Sequence, residues 1–146
     1  METSCGDDDD GGAGCVFAKA LLHRSAVCEN AERHDLGERL QLRCRSPVAQ
    51  TNCRTLLRLG HERARFALRL PGDERRPLTH LQALRLQCGT LAALQQVLDS
   101  DWRDAHRLVL LAHDRHGSLA ELPWDRLVAT LAAWQPPPRR SRGDTP

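Results

Sequence analysis

From Pro47 to Leu98 the apolar residues recur at helical spacing in two long runs, broken by the turn-forming stretch PGDERRP at 71–77. That spacing commits the middle of the chain to helix. Ser46 followed by Pro47 is a helix start: Ser is a side-chain cap, and Pro sits at the first helical position, where its missing N–H costs nothing. This run predicts a helix to about Leu70, and a second is expected from Pro77 to about Leu98. Before them, in segment 15–36, Phe17, Leu21 and Cys28 share one face at about 100° per residue, as an amphipathic helix requires. Gly37 interrupts. ERLQLRC at 38–44 alternates over Leu40 and Leu42 and fits either an extended segment or a last helical turn. Asp99 to Asp101 offer caps for a further helix ending at Gly117, Ser118 with Glu121 has the capping-box spacing, and Pro123 opens a final helix through Trp134. The expected fold class is therefore all-α, a single irregular bundle of about five helices spanning 15–134.

The flanks are of a different character. Residues 1–14 form an acidic, glycine-rich leader with four consecutive aspartates, and 135–146 form a basic, proline-rich tail. Neither has the apolar residues to bury, so both are expected to be disordered. The leader lacks the basic-then-apolar pattern of a secretory signal, and no apolar run has the length of a membrane span, so the expectation is a cytoplasmic protein with no membrane partner. Arginine supplies all but one of the 21 basic residues, while Ile and Tyr are absent, a composition expected of a GC-rich bacterial genome. A net charge of +2 is too small to mark a general polyanion binder.

A chain of 146 residues closes a core without covalent staples, so its six cysteines call for another role. In a reducing compartment that role is packing, redox chemistry or metal ligation. Cys5 lies in the leader. The others are spaced Cys15-x12-Cys28-x15-Cys44-x8-Cys53-x34-Cys88. Cys53 falls on the apolar arc with Leu57, Ala64 and Ala67, Cys88 lies among Leu81, Leu84, Leu91 and Ala92, and Cys28 joins Phe17 and Leu21. Inward-facing cysteine is also what simple packing produces. Number and placement together point to an iron–sulfur cluster held by Cys15, Cys28, Cys44 and Cys53, with Cys88 able to replace one, and zinc as the alternative metal. No Cys-x-x-Cys pair is present, so a site of this kind is assembled from scattered elements. Cys44, just ahead of a helix, lies beside unpaired backbone N–H groups that favour a thiolate.

Arg54, Arg58, His61, Arg65 and Arg69 fall within about 80° of one another on the helix after Pro47, a basic stripe suited to an acidic or redox protein partner and less to nucleic acid, because aromatic residues for base stacking are scarce. A solvated helix face is the plainer account of that stripe. Arg63 is expected within the apolar arc, near Leu59, Phe66 and Leu70, where it either meets a carboxylate or snorkels to the rim. No phosphate-binding glycine loop, Gly-x-Ser-x-Gly or His-Glu-x-x-His occurs, which argues against the corresponding enzyme classes. The expected function is a small metal-binding redox protein, for electron transfer, redox sensing or assembly of a redox enzyme. Its rivals are a non-metal module using the arginine stripe and a structural zinc protein.

Overall fold

Pro47–Leu68 is the longest helix, and it begins as its sequence dictates: the Ser46 hydroxyl accepts the Ala49 N–H at 3.1 Å with Pro at the first position. It ends where Arg69 turns left-handed (φ 55°) and the Leu70 N–H returns to the Arg65 carbonyl at 2.9 Å. In the computed structural model, which describes residues 14–37, 39–72 and 76–136, this helix is α2. The full order is α1 (Ala18–Leu22), β1 (Ala31–Leu36), β2 (Arg39–Cys44), α2, α3 (His80–Leu98), α4 (Ala105–His116), a 3-10 turn (Leu119–Glu121) and α5 (Trp124–Ala133). The leader up to residue 13, Cys5 within it, and the tail from residue 137 lie outside the described residues.

The architecture is largely helical, with five helices among the described residues, but it also holds a two-stranded antiparallel hairpin that an all-α reading lacks. The helix expected over 15–36 stops after five residues at Leu22. There Arg24 adopts φ 67° and the Ser25 N–H reaches back to the Ala20 carbonyl at 3.0 Å. The following residues become β1, paired with β2 from Ala31 opposite Cys44 to Leu36 opposite Arg39, and the chain reverses at Gly37 (φ 68°). Of ERLQLRC, the described part RLQLRC (Arg39–Cys44) is thus extended rather than helical, and Glu38 lies outside the described residues.

Helix α3 packs against each of the other four helices. Its start differs from the expected Pro77 because Thr79 and Gln82 form a reciprocal capping box. Its Gln87 side chain also secures α1. The Oε1 atom accepts the N–H groups of Lys19 (2.9 Å) and Ala20 (3.2 Å), satisfying the start of a helix that has no cap of its own. Two glycines set helix spacing. A Cβ on Gly89 would lie 3.2 Å from the Leu131 carbonyl oxygen of α5, and one on Gly60 of α2 would lie 3.0 Å from Thr90 Oγ1. The core gathers Leu56, Leu94, Leu98, Leu108, Leu127 and Leu131, all essentially without solvent exposure.

Thr90 is fully buried and its hydroxyl has no hydrogen-bond partner. An orphaned buried hydroxyl costs its desolvation with no return. Thr90→Val, which keeps the shape, is expected to raise stability by about 1 kcal/mol in urea denaturation; a decrease would mean that the hydroxyl is paired in solution.

Candidate metal centre

Backbone hydrogen bonds fix the segments that carry Cys15, Cys28 and Cys44, and α2 carries Cys53. The Cys15 N–H donates to the Leu42 carbonyl at 2.8 Å, laying residues 14–15 along β2, and Gln50 of α2 holds the Gly14 carbonyl at 2.8 Å. Cys44 is the last residue of β2, opposite Ala31, and its Sγ–H donates to the Ser46 carbonyl at 3.2 Å. Cys53, two turns into α2, is buried among the core residues. Cys28 arrives by the longest route. Val27 forms a parallel bridge with Asp104, the Val27 N–H meeting Arg103 O (2.9 Å) and the Ala105 N–H meeting Val27 O (2.8 Å). The Cys28 carbonyl then accepts the Ala31 N–H at 3.2 Å, which starts β1.

These thiols lie within electrostatic reach of one another: Cys28 and Cys44 disfavour the thiolate of Cys15, Cys44 that of Cys28, and Cys15, Cys28 and Cys44 that of Cys53. Burial is the larger effect, pushing Cys15 up to about 11 and Cys53 up to about 12, and raising Cys28 as well. Acting the other way, the backbone N–H of Phe17 favours the Cys15 thiolate, and those of Asn30 and His106 favour that of Cys28. His106 lies in the first turn of α4, so the start of that helix approaches Cys28. Among the described residues, no three His, Cys, Asp or Glu side chains are grouped as they would be around a bound metal ion.

Asp104 is the residue that sequence reasoning missed. Its Oδ1 caps α4 through the Arg107 N–H (3.1 Å), while its Oδ2 accepts the Glu29 N–H (2.9 Å), clamping the Cys28 turn onto that helix. The signal was a cap-forming Asp directly before Ala105, in competition with Asp99 and Asp101. Asp99 instead ends α3 in a left-handed conformation (φ 54°).

Cys88 stands apart from the four. It is buried on α3, raised by burial and opposed by a hydrogen bond with the Ser25 side chain, and it lines a separate cleft with Trp134 and Arg103. Of the basic stripe, Arg54 and Arg58 are exposed and line a shallow cleft of about 230 Å³ with the half-buried His61, whose Nε2–H donates to Pro71 O at 3.2 Å. Arg65 lies 4.8 Å from the Phe66 ring centroid, and Arg69 lies just past the helix end. Arg63, expected within the apolar arc, is exposed, with its guanidinium 5.8 Å from the Trp124 ring centroid, and Phe66 beside it is 84% exposed. The buried stripe of α2 runs instead through Ala49, Cys53, Leu56, Gly60, Ala64 and Leu68.

No helix among the described residues is long and apolar enough to cross a membrane. Comparison with known proteins finds no matching family model, no curated protein and no solved structure with significant similarity.

The raised thiols have a sign-definite consequence for the metal-free protein. Below the ordinary thiol value of 9.0, folded and unfolded chains both hold these protons and the groups contribute no pH dependence. Above it, the unfolded chain releases protons that the folded chain retains to about 11 at Cys15 and about 12 at Cys53, so stability falls as pH rises through that window. The chain has no tyrosine to confuse the measurement. Urea midpoints at pH 8 and pH 10.5 are expected to drop at the higher pH, and an unchanged midpoint would contradict the burial of Cys15 and Cys53.

Proposed function

We propose that this chain is an iron–sulfur protein whose cluster is ligated by Cys15, Cys28, Cys44 and Cys53, and that it serves in electron transfer, redox sensing or assembly of a redox enzyme. The observation that carries the reading is that these four thiols, from the segment beside β2, the turn before β1, the end of β2 and the inner face of α2, lie within electrostatic reach of one another. A cluster needs about four thiolates and favours sites where backbone N–H groups point at sulfur. Three such groups, from Phe17, Asn30 and His106, are directed at Cys15 and Cys28. A single tetrahedral zinc, with Zn–S of about 2.3 Å, would draw four sulfurs to within about 3.8 Å of one another. An iron–sulfur cluster spreads its thiolates over separate iron atoms and so takes sulfurs held farther apart than that.

An acidic redox protein is the partner class that goes with this reading, and the exposed Arg54 and Arg58 offer it a cationic face. The test is a visible absorption spectrum with iron, sulfide and zinc analysis on protein purified without oxygen. A brown protein with nearly equal iron and sulfide supports the proposal. A colourless protein with one zinc per chain would make it a zinc site, and a chain that stays metal-free after anaerobic reconstitution would overturn metal binding altogether.

A further inference from the structure

A groove of about 350 Å³ lies between α1 with its following turn and the hairpin. Leu21, Ala26, Leu40 and Leu42 give it an apolar lining, and Cys28 forms part of one wall. Among the described residues, its charged lining residues are Arg24 and Arg33. Arg33 pairs with Leu42 across the hairpin and therefore shares the face that carries that buried leucine. Arg24 is held at φ 67°, where glycine is the usual occupant, and the Arg103 guanidinium donates to its carbonyl, so its backbone is fixed from both sides of the turn. Neither guanidinium has a carboxylate partner among the described residues. Two unpaired cations in one concave, partly apolar groove concentrate anions there.

We propose that this groove binds a small organic dianion, a short dicarboxylate whose ends pair with Arg24 and Arg33 while its carbon chain lies against Leu21, Ala26, Leu40 and Leu42. Its volume is at the lower end of small-ligand pockets, about 300–1,000 Å³. The site requires no metal, so it stands or falls separately from the cluster.

The test titrates the full chain with succinate and glutarate, using neutral succinamide as control, by calorimetry and by backbone amide shifts. Saturable one-site binding of a diacid with Kd near or below about 1 mM is expected, with amide shifts centred on Arg24, Arg33 and Leu42 and no response to succinamide. Arg24→Gln and Arg33→Gln are each expected to weaken binding by about tenfold or more, as loss of a charge-assisted bidentate pair implies, and the double variant to abolish it. Both arginines are exposed, so the variants are expected to melt with the parent; should they not fold, the shift map on the parent chain decides. Absence of saturable binding by either diacid, shifts centred elsewhere, undiminished affinity in a folded double variant, or binding of an acidic peptide alone would each overturn the assignment.

Discussion

The Cys28→Ala/Cys53→Ala double variant, prepared without oxygen, is expected to bind essentially no iron or sulfide, while Cys88→Ala keeps the parent content. The asymmetry follows from position. Cys28 acts electrostatically on Cys15 and Cys53, and Cys53 is itself acted on by the other three thiols, whereas Cys88 acts on none of them and hydrogen-bonds Ser25 in a different cleft. Two of four ligands cannot be replaced by methyl groups without leaving iron atoms uncoordinated. Metal analysis and the visible spectrum check both halves. Retention of metal in the double variant would remove these residues from the site, and loss in Cys88→Ala at unchanged stability would bring that thiol into it.

Trp124→Ala carries the largest expected loss of stability, about 3–5 kcal/mol, as for a buried large aromatic truncated to Ala. Its ring is 5% exposed, its Nε1–H donates to the Leu119 carbonyl at 3.1 Å, and the Arg63 guanidinium covers it at 5.8 Å. The residue joins the 3-10 turn to the start of α5, which packs on α3. For a domain of ordinary stability, about 5–15 kcal/mol, that is a large share of the whole. Trp124→Phe separates the contributions: it keeps most of the packing and forfeits the indole hydrogen bond, at an expected cost of about 1 kcal/mol. Urea denaturation of the metal-free proteins measures both, and equal losses would assign the effect to the hydrogen bond rather than to the ring.

What could be read in advance was local. Ser46-Pro47, the end of α3 at Leu98, Gly117 and the helix after Pro123 are signalled by residues within one turn of the boundary, and each is found there. The hairpin was hidden for the converse reason. AERHDL lacks β-branched and aromatic residues, Phe17, Leu21 and Cys28 happen to match a helical period, and the stop at Arg24 is a left-handed arginine rather than a glycine. The inner face of α2 was displaced because Gly60 and Ala64, small residues at close helix crossings, mark the interface more truly than Leu59 and Phe66 do. In the candidate site, the inward direction of Cys53 and the place of Cys44 before α2 were legible from helix geometry. The arrival of Cys28 was not, since it depends on a bridge between Val27 and Asp104, far apart in sequence, and on a carboxylate that caps two segments at once.

The hold of Gln87 on the start of α1 bears on the order in which this molecule forms. A five-residue helix has too few internal hydrogen bonds to persist alone, so α1 waits for α3 to present its side-chain amide. Helices α2 to α5 share the large leucines of the core and can assemble first, as a scaffold already carrying Cys53. Cys15, Cys28 and Cys44, all ahead of that scaffold in the chain, are then laid onto it by α1, the Asp104 clamp and the hairpin. On the proposed reading, loss of the cluster is expected to speed amide exchange between residues 14 and 44 over a protected helical remainder, so that one part of the chain loosens while the other stays folded.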